Sequence, residues 1–110
     1  MVNSKLLRGN LETIVLKLLE DHMEMYGYEI TQKVKDLTLN EIQLTEGALY
    51  PILHKLEGEG ILTTRIANIG NRKRKYYKLT PEGNDRVTQK VDEFEVFVQS
   101  MHLILNPKLG

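Results

Sequence analysis

The last third of the chain carries an apolar stripe longer than the rest of the chain can cover. Val87, Val91, Phe94, Val98, Met101 and Leu105 recur at intervals of four, three, four, three and four residues, which places them along one seam of an α-helix. Thr80-Pro81-Glu82-Gly83 opens that helix with a capping hydroxyl, a proline at the first position and an acid in the first turn. The helix is predicted from Pro81 to Leu105, about 37 Å at ~1.5 Å per residue. In a chain of 110 residues, the preceding domain is too small to lie along all of it. Burial against a second copy of the chain is the natural solution, and packing within one chain is the alternative. Only about three heptads are present, so the helix must also lean on its own domain or on the first helix of the partner. Phe97, Leu103 and Ile104 widen the stripe.

Upstream, Leu11, Ile14, Val15, Leu18 and Leu19 draw one helical stripe, which predicts a helix from about Gly9 to Asp21. After Tyr26-Gly27-Tyr28, the spacing of Ile30, Val34 and Leu37 predicts a second, short helix. Leu39 to Leu44 reads as a brief strand or an extended link. Thr45 is a credible N-cap for a third helix carrying Leu49, Ile52, Leu53 and Leu56, with Gly58 and Gly60 at its end. Pro51 inside it cannot donate to the Gly47 carbonyl. It implies a kink, or a helix that starts near Gly47. Ile61 to Ala67 and Arg72 to Leu79, separated by Asn68-Ile69-Gly70-Asn71, form a β-hairpin with Tyr77 and Leu79 on one face and Tyr76 and Lys78 on the other.

Formal net charge is zero, yet charge is unevenly placed. Between Gly60 and Pro81 lie Arg65, Arg72, Lys73, Arg74, Lys75 and Lys78 without one acid. Local field decides what a surface attracts. Helix, helix, helix, basic hairpin, helix is the order of a helix-turn-helix with a wing. The fold class expected is therefore mainly α with a small β-hairpin. Residues 1–80 would form a winged helix-turn-helix and residues 81–110 a long dimerisation helix. The third helix would turn Gly47, Tyr50, Pro51, His54 and Lys55 outward, with Gly47 and Ala48 keeping its leading end thin. His54 and Lys55 can donate to phosphates or guanine acceptors, and the wing cations can lie on the DNA backbone or reach the minor groove. Taken singly, each feature has a plainer reading: a solvated basic turn, a half-buried tyrosine, a surface histidine. Their order along the chain favours DNA.

Composition removes other classes. The chain has no cysteine, which excludes disulfides, thiolate metal sites and thiol chemistry. His22, His54 and His102 lack ligand spacing, and no phosphate loop or nucleophile–base pair is present, so neither an enzyme nor a metal or other cofactor is expected. With 41% hydrophobic and 27% charged residues, no membrane-length apolar run and no signal peptide, a cytoplasmic protein is expected. A winged helix that binds protein is the rival reading, and the basic wing beside a small, uncharged helix front speaks against it.

Leu7-Arg8-Gly9, Tyr26-Gly27-Tyr28-Glu29-Ile30 and Gly47-Ala48-Leu49-Tyr50-Pro51-Ile52-Leu53-His54-Lys55-Leu56-Glu57 stand in order, followed by Gly60-Ile61 and Arg74-Lys75-Tyr76-Tyr77-Lys78-Leu79-Thr80-Pro81-Glu82-Gly83. Together these resemble the PadR family of transcriptional regulators, from about residue 6 to residue 84. The single helix that follows resembles the shorter subgroup. The resemblance implies a winged helix-turn-helix homodimer that represses from a pseudo-palindromic operator, often released by a small molecule. The candidate DNA-contacting set is Arg8, Thr45, Gly47, Ala48, Tyr50, Pro51, His54, Lys55, Arg65, Arg72, Lys73, Arg74, Lys75 and Tyr76. Val87, Val91, Phe94, Val98, Met101 and Leu105 are the candidate dimer interface. Some short members bind planar aromatic compounds there, and Phe94 and Phe97 are the residues this segment offers such an effector, in a chain without tryptophan. Ile69 at the wing tip departs from the pattern.

Overall fold

A computed structural model of the protein describes residues 1–109. Besides a final 3-10 turn at Pro107–Leu109, two elements appear that the apolar spacing did not predict. The first is a five-residue helix, α1 (Ser4–Arg8), capped by the Asn3 side chain, which accepts from the Lys5 N–H at 2.8 Å. The Asn10 amide then donates to the Leu6 carbonyl at 2.9 Å, turning the chain into α2 (Leu11–His22). The second is a three-residue strand, β1 (Glu24–Tyr26), so the hairpin expected from the sequence is part of a three-stranded antiparallel sheet. A run of three or five residues is too short to display a period.

α3 (Gly27–Leu37) follows β1 directly, its start closed by Glu29, which accepts from the Tyr26 N–H at 3.3 Å. The stretch from Leu39 to Leu44 is a link and not a strand. Thr38 organises it, its hydroxyl donating to the Val34 carbonyl at 2.8 Å and accepting from the Ile42 N–H at 3.0 Å. α4 (Glu46–Gly58) begins at the expected cap, where the Thr45 hydroxyl accepts from the Ala48 N–H at 3.1 Å. Pro51 lies just beyond the first turn, so the bond it forfeits is that to the carbonyl of exposed Gly47, which water can satisfy. The helix closes on Gly60 (φ +76°), with the Gly60 N–H donating to Glu57 and the Ile61 N–H to Leu56, both carbonyls of the last turn.

β2 (Leu62–Ile69) and β3 (Arg72–Leu79) pair in register from Leu62↔Leu79 to Ile69↔Arg72, and β1 pairs on the other side of β3. Gly70 (φ +62°) and Asn71 make the two-residue turn, a position where a side chain would be strained. Leu62, Tyr77, Leu79 and Met25 point into the core. α5 (Pro81–Leu105) has the predicted bounds, with the Thr80 hydroxyl accepting from the Gly83 N–H at 3.1 Å.

α2 runs through the centre of the core with Val15, Leu16 and Leu19 at most 1% exposed, surrounded by Ile30 of α3, the Leu49, Leu53 and Leu56 ridge of α4, and the sheet. The foot of α5 completes it. Val87, read from the heptad spacing as an interface residue, is 1% exposed and belongs to this core; Val91 packs against its edge. The heptad period marks which side of the helix is apolar, but not where the domain stops covering it. The free part of the stripe begins at Phe94, and α5 extends a body that measures 59 × 30 × 20 Å. Among the described residues, no helix is long and apolar enough to cross a membrane, and no cluster of His, Asp or Glu could hold a metal ion.

Candidate nucleic-acid interface

The helical period of α4 separates two tasks. Leu49, Leu53 and Leu56 are buried, while Gly47, Tyr50, Pro51 and His54 form an exposed stripe on the outer side. Ala48 and Lys55 are exposed on its flank. Tyr50 lies across the start of α3: a Cβ at Gly27 would stand 2.6 Å from the Tyr50 Oη. The glycine of Tyr26-Gly27-Tyr28 is what lets the phenol rest there. Tyr50 remains 43% exposed and so presents its other side outward.

Between this stripe, the first residues of α3 and the wing lies a cleft of about 620 Å³. Tyr28, Tyr50, Arg72, Lys73 and Arg74 line it, together with Ile69 from the wing tip. The N–H groups at the head of α3 add positive potential to its wall. Tyr26, Tyr28 and Ile69 are additions to the set read from the sequence. The doubled tyrosine at the start of α3 was the signal for the first two, but no spacing rule ties it to the wing.

The wing cations divide by their partners. Arg65 is held by Glu24, its Nε donating to both carboxylate oxygens at 3.1 Å, and its guanidinium lies 4.4 Å over the Tyr76 ring. Tyr76 meets Tyr26 edge-on at 5.6 Å, and Arg74 covers Tyr26 at 4.0 Å. On the other face Lys75 binds Glu57 of α4 at 3.0 Å, and the Thr64 hydroxyl donates to the same carboxylate at 3.0 Å. Those hydrogen bonds hold the Glu57 carboxyl below its ordinary range, as Arg65 does for Glu24. Both pairings therefore persist at neutral pH and are lost as acid protonates the carboxylates through their lowered values. Among the described residues, Arg72, Lys73 and Arg74 have no carboxylate partner.

The remaining candidates lie around this cleft. The Thr45 hydroxyl is committed to its cap. Arg8 closes α1, exposed, and does not line the cleft. Lys55 leans toward Glu12 of α2 at 4.0 Å, the outer limit of an ion pair. Sharing no lining residue with this cleft, an open apolar groove of about 790 Å³ runs between α1, α2, the end of α3 and α5, lined by Leu6, Ile14, Leu37, Phe94 and Val98 among others. Phe94 faces it. Phe97 does not line it, although the two rings are 6.4 Å apart.

A helix-turn-helix whose outer helix adjoins a cation-lined wing is the form of a winged-helix DNA-binding protein. The transcriptional regulator PadR-like family matches residues 15–89. A transcriptional regulator from Clostridium thermocellum superposes with a TM-score of 0.83 at 30% identity, over 93% of this chain and 96% of its own. PadR of Bacillus subtilis, solved in complex with operator DNA, matches with a TM-score of 0.67 at 30% identity over 74% of this chain and 46% of its own. A transcriptional regulator of Mycobacterium tuberculosis is 33% identical over 66 residues, 60% of this chain and 59% of its own. The chain belongs to the PadR-like family of transcriptional regulators. By family it is a transcriptional regulator and not an enzyme.

Proposed function

We propose that the protein is a homodimeric repressor that binds a pseudo-palindromic operator, with Gly47, Tyr50, Pro51 and His54 turned to the major groove and the wing on the adjoining backbone and minor groove. The observation that carries this reading is the juxtaposition of an exposed, acid-free helix stripe with three wing cations that form no ion pair among the described residues. Each recognition helix would occupy one half-site, the two lying one helical turn of DNA apart, roughly 34 Å, or a multiple of it. The α5 stripe from Phe94 onward, continuous with the apolar groove, is the surface a second copy would cover. A small aromatic effector would enter at the same place, beside Phe94. Binding there would act on the dimer and not on the DNA face.

Fluorescence anisotropy with labelled DNA from upstream of the protein's own gene, beside random DNA of equal length, tests the reading. Tight binding to the upstream fragment with weak, salt-sensitive binding to the control is expected. Equal affinity for both would remove autoregulation, and no binding to either at low salt would remove the DNA reading. Within the same assay, Arg72→Ala with Lys73→Ala is expected to weaken binding to every sequence and to flatten the salt slope by about 1.8 per protomer, at ~0.9 per phosphate contact. Loss confined to the preferred sequence would show instead that these side chains read bases.

A further inference from the structure

Glu12 stands in the first turn of α2, between the recognition helix and α5, with a side chain only 15% exposed. Three cations from two other elements converge on its carboxylate. Arg86 of α5 reaches Oε1 at 3.1 Å, Lys90 of α5 reaches Oε2 at 3.1 Å, and Lys55 of α4 approaches Oε1 at 4.0 Å. The Arg86 guanidinium also stands 3.8 Å from Glu59, the residue that caps the end of α4. Among the described residues, every ion pair that links α4 to α5 therefore passes through Glu12 or Arg86.

Apolar packing of Val87 and Val91 holds α5 to the domain, but such contacts are non-directional and leave a helix free to rock. The hydrogen bond from Arg86 to that part-buried carboxylate is directional, and the ion pair with Lys90 engages its other oxygen. They sit at the point about which such rocking would change the angle between α5 and α4. We propose that Glu12 is a positioning residue: by holding α4 and α5 on one carboxylate it fixes the bearing of the recognition helix on the dimerisation helix, and with it the half-site spacing the protein accepts. This rests on the dimeric DNA-binding reading above. One base pair added between half-sites moves the far one by about 3.4 Å and turns it by about 35°, a displacement that a rigid joint rejects and a loose one follows. Without the Glu12 charge, Lys55, Arg86 and Lys90 repel one another, with Glu59 the one other carboxylate in ion-pair range of them among the described residues, and the joint loosens.

The test uses the full chain and a duplex selected by the wild-type protein from a random pool, then lengthened or shortened at its centre by one and two base pairs. Wild type is expected to lose roughly 10–100-fold in affinity at two base pairs from the preferred spacing, the scale of one or two lost base-pair contacts. E12Q is expected to bind the preferred duplex about fivefold more weakly and to discriminate between spacings by only about threefold, with its affinity for random duplex undiminished. E12D, which keeps the charge, should retain most of the wild-type profile. If E12Q fails to fold, K90Q removes one arm of the cluster and should give an intermediate profile. A spacing profile in E12Q or K90Q that matches wild type, even with a lowered melting temperature, would overturn the proposal and leave Glu12 a purely structural anchor. A wild-type protein indifferent to spacing would overturn the dimeric reading itself, and this inference with it.

Discussion

A chain carrying Val98→Asp and Met101→Asp is expected to sediment as a monomer and to bind its operator roughly 10²–10⁴-fold more weakly, the range by which joining two modest sites raises affinity. The positions follow from burial. Val87 and Val91 belong to or border the core, so a charge there would unfold the domain and prove nothing about association. Val98 is half-buried beside the groove, and Met101 is 37% exposed on the same seam. Neither supports the winged helix itself. A carboxylate at each would have to be desolvated against a second apolar stripe, at a cost that the short free seam from Phe94 to Leu105 cannot offset. Far-ultraviolet circular dichroism should retain its helical signal, and binding to random DNA should fall far less than operator binding. A double variant that still sediments as a dimer would place the interface elsewhere.

Gly83→Ala is expected to have the largest effect on stability of any single methyl added to this chain. Gly83 lies in the first turn of α5, where an added Cβ would run into the Ile61 carbonyl and come within 3.1 Å of Leu79 Cδ2. Neither neighbour can yield cheaply. The Ile61 carbonyl accepts from the Thr80 N–H at 3.1 Å and sits where the end of α4 meets the sheet, so moving it disturbs three elements. Overpacking of this kind costs about 3 kcal/mol, and with ~4–8 °C per kcal/mol for a domain of this size the melting temperature should fall by roughly 12–24 °C. Gly58→Ala is the matched control. Nothing lies within 4 Å of a Cβ there and the residue is helical, so that variant should melt at the same temperature or slightly higher. Melting both at one fixed protein concentration decides the matter. Equal melting temperatures would mean that α5 shifts bodily to admit the methyl.

What could be read from residues alone follows the strength of local signals. The bounds of α5 and β3 were legible because Thr80-Pro81 and the Asn68-Ile69-Gly70-Asn71 stretch are strong local punctuation, although Asn68 and Ile69, read as turn, belong to β2. Thr45 announced α4 in the same way. α1 and β1 were not legible, since each exists because of what it is tied to: Asn10 reaching back to Leu6, and β3 pairing with Glu24–Tyr26. The candidate site shows the same division. An acid-free stretch of sequence predicted an unneutralised wing, but the acids that occupy Arg65 and Lys75 come from β1 and α4, 41 and 18 residues away. Sequence spacing carries no trace of such pairs. The exposed stripe of α4 could be read because helical periodicity alone decides which residues face away from Leu49, Leu53 and Leu56.

That stripe also bears on how the protein can change over evolutionary time. Gly47, Pro51 and His54 are exposed and give nothing to the core, so under the proposed reading their replacement would alter what is read while leaving stability nearly untouched. Tyr50 is different, since it rests on Gly27 and can be exchanged freely only for a residue that still fits there. Duplicated copies of the gene can therefore drift toward new operators by a path of single, individually tolerated substitutions at three positions, with Tyr50 and Gly27 changing together or not at all.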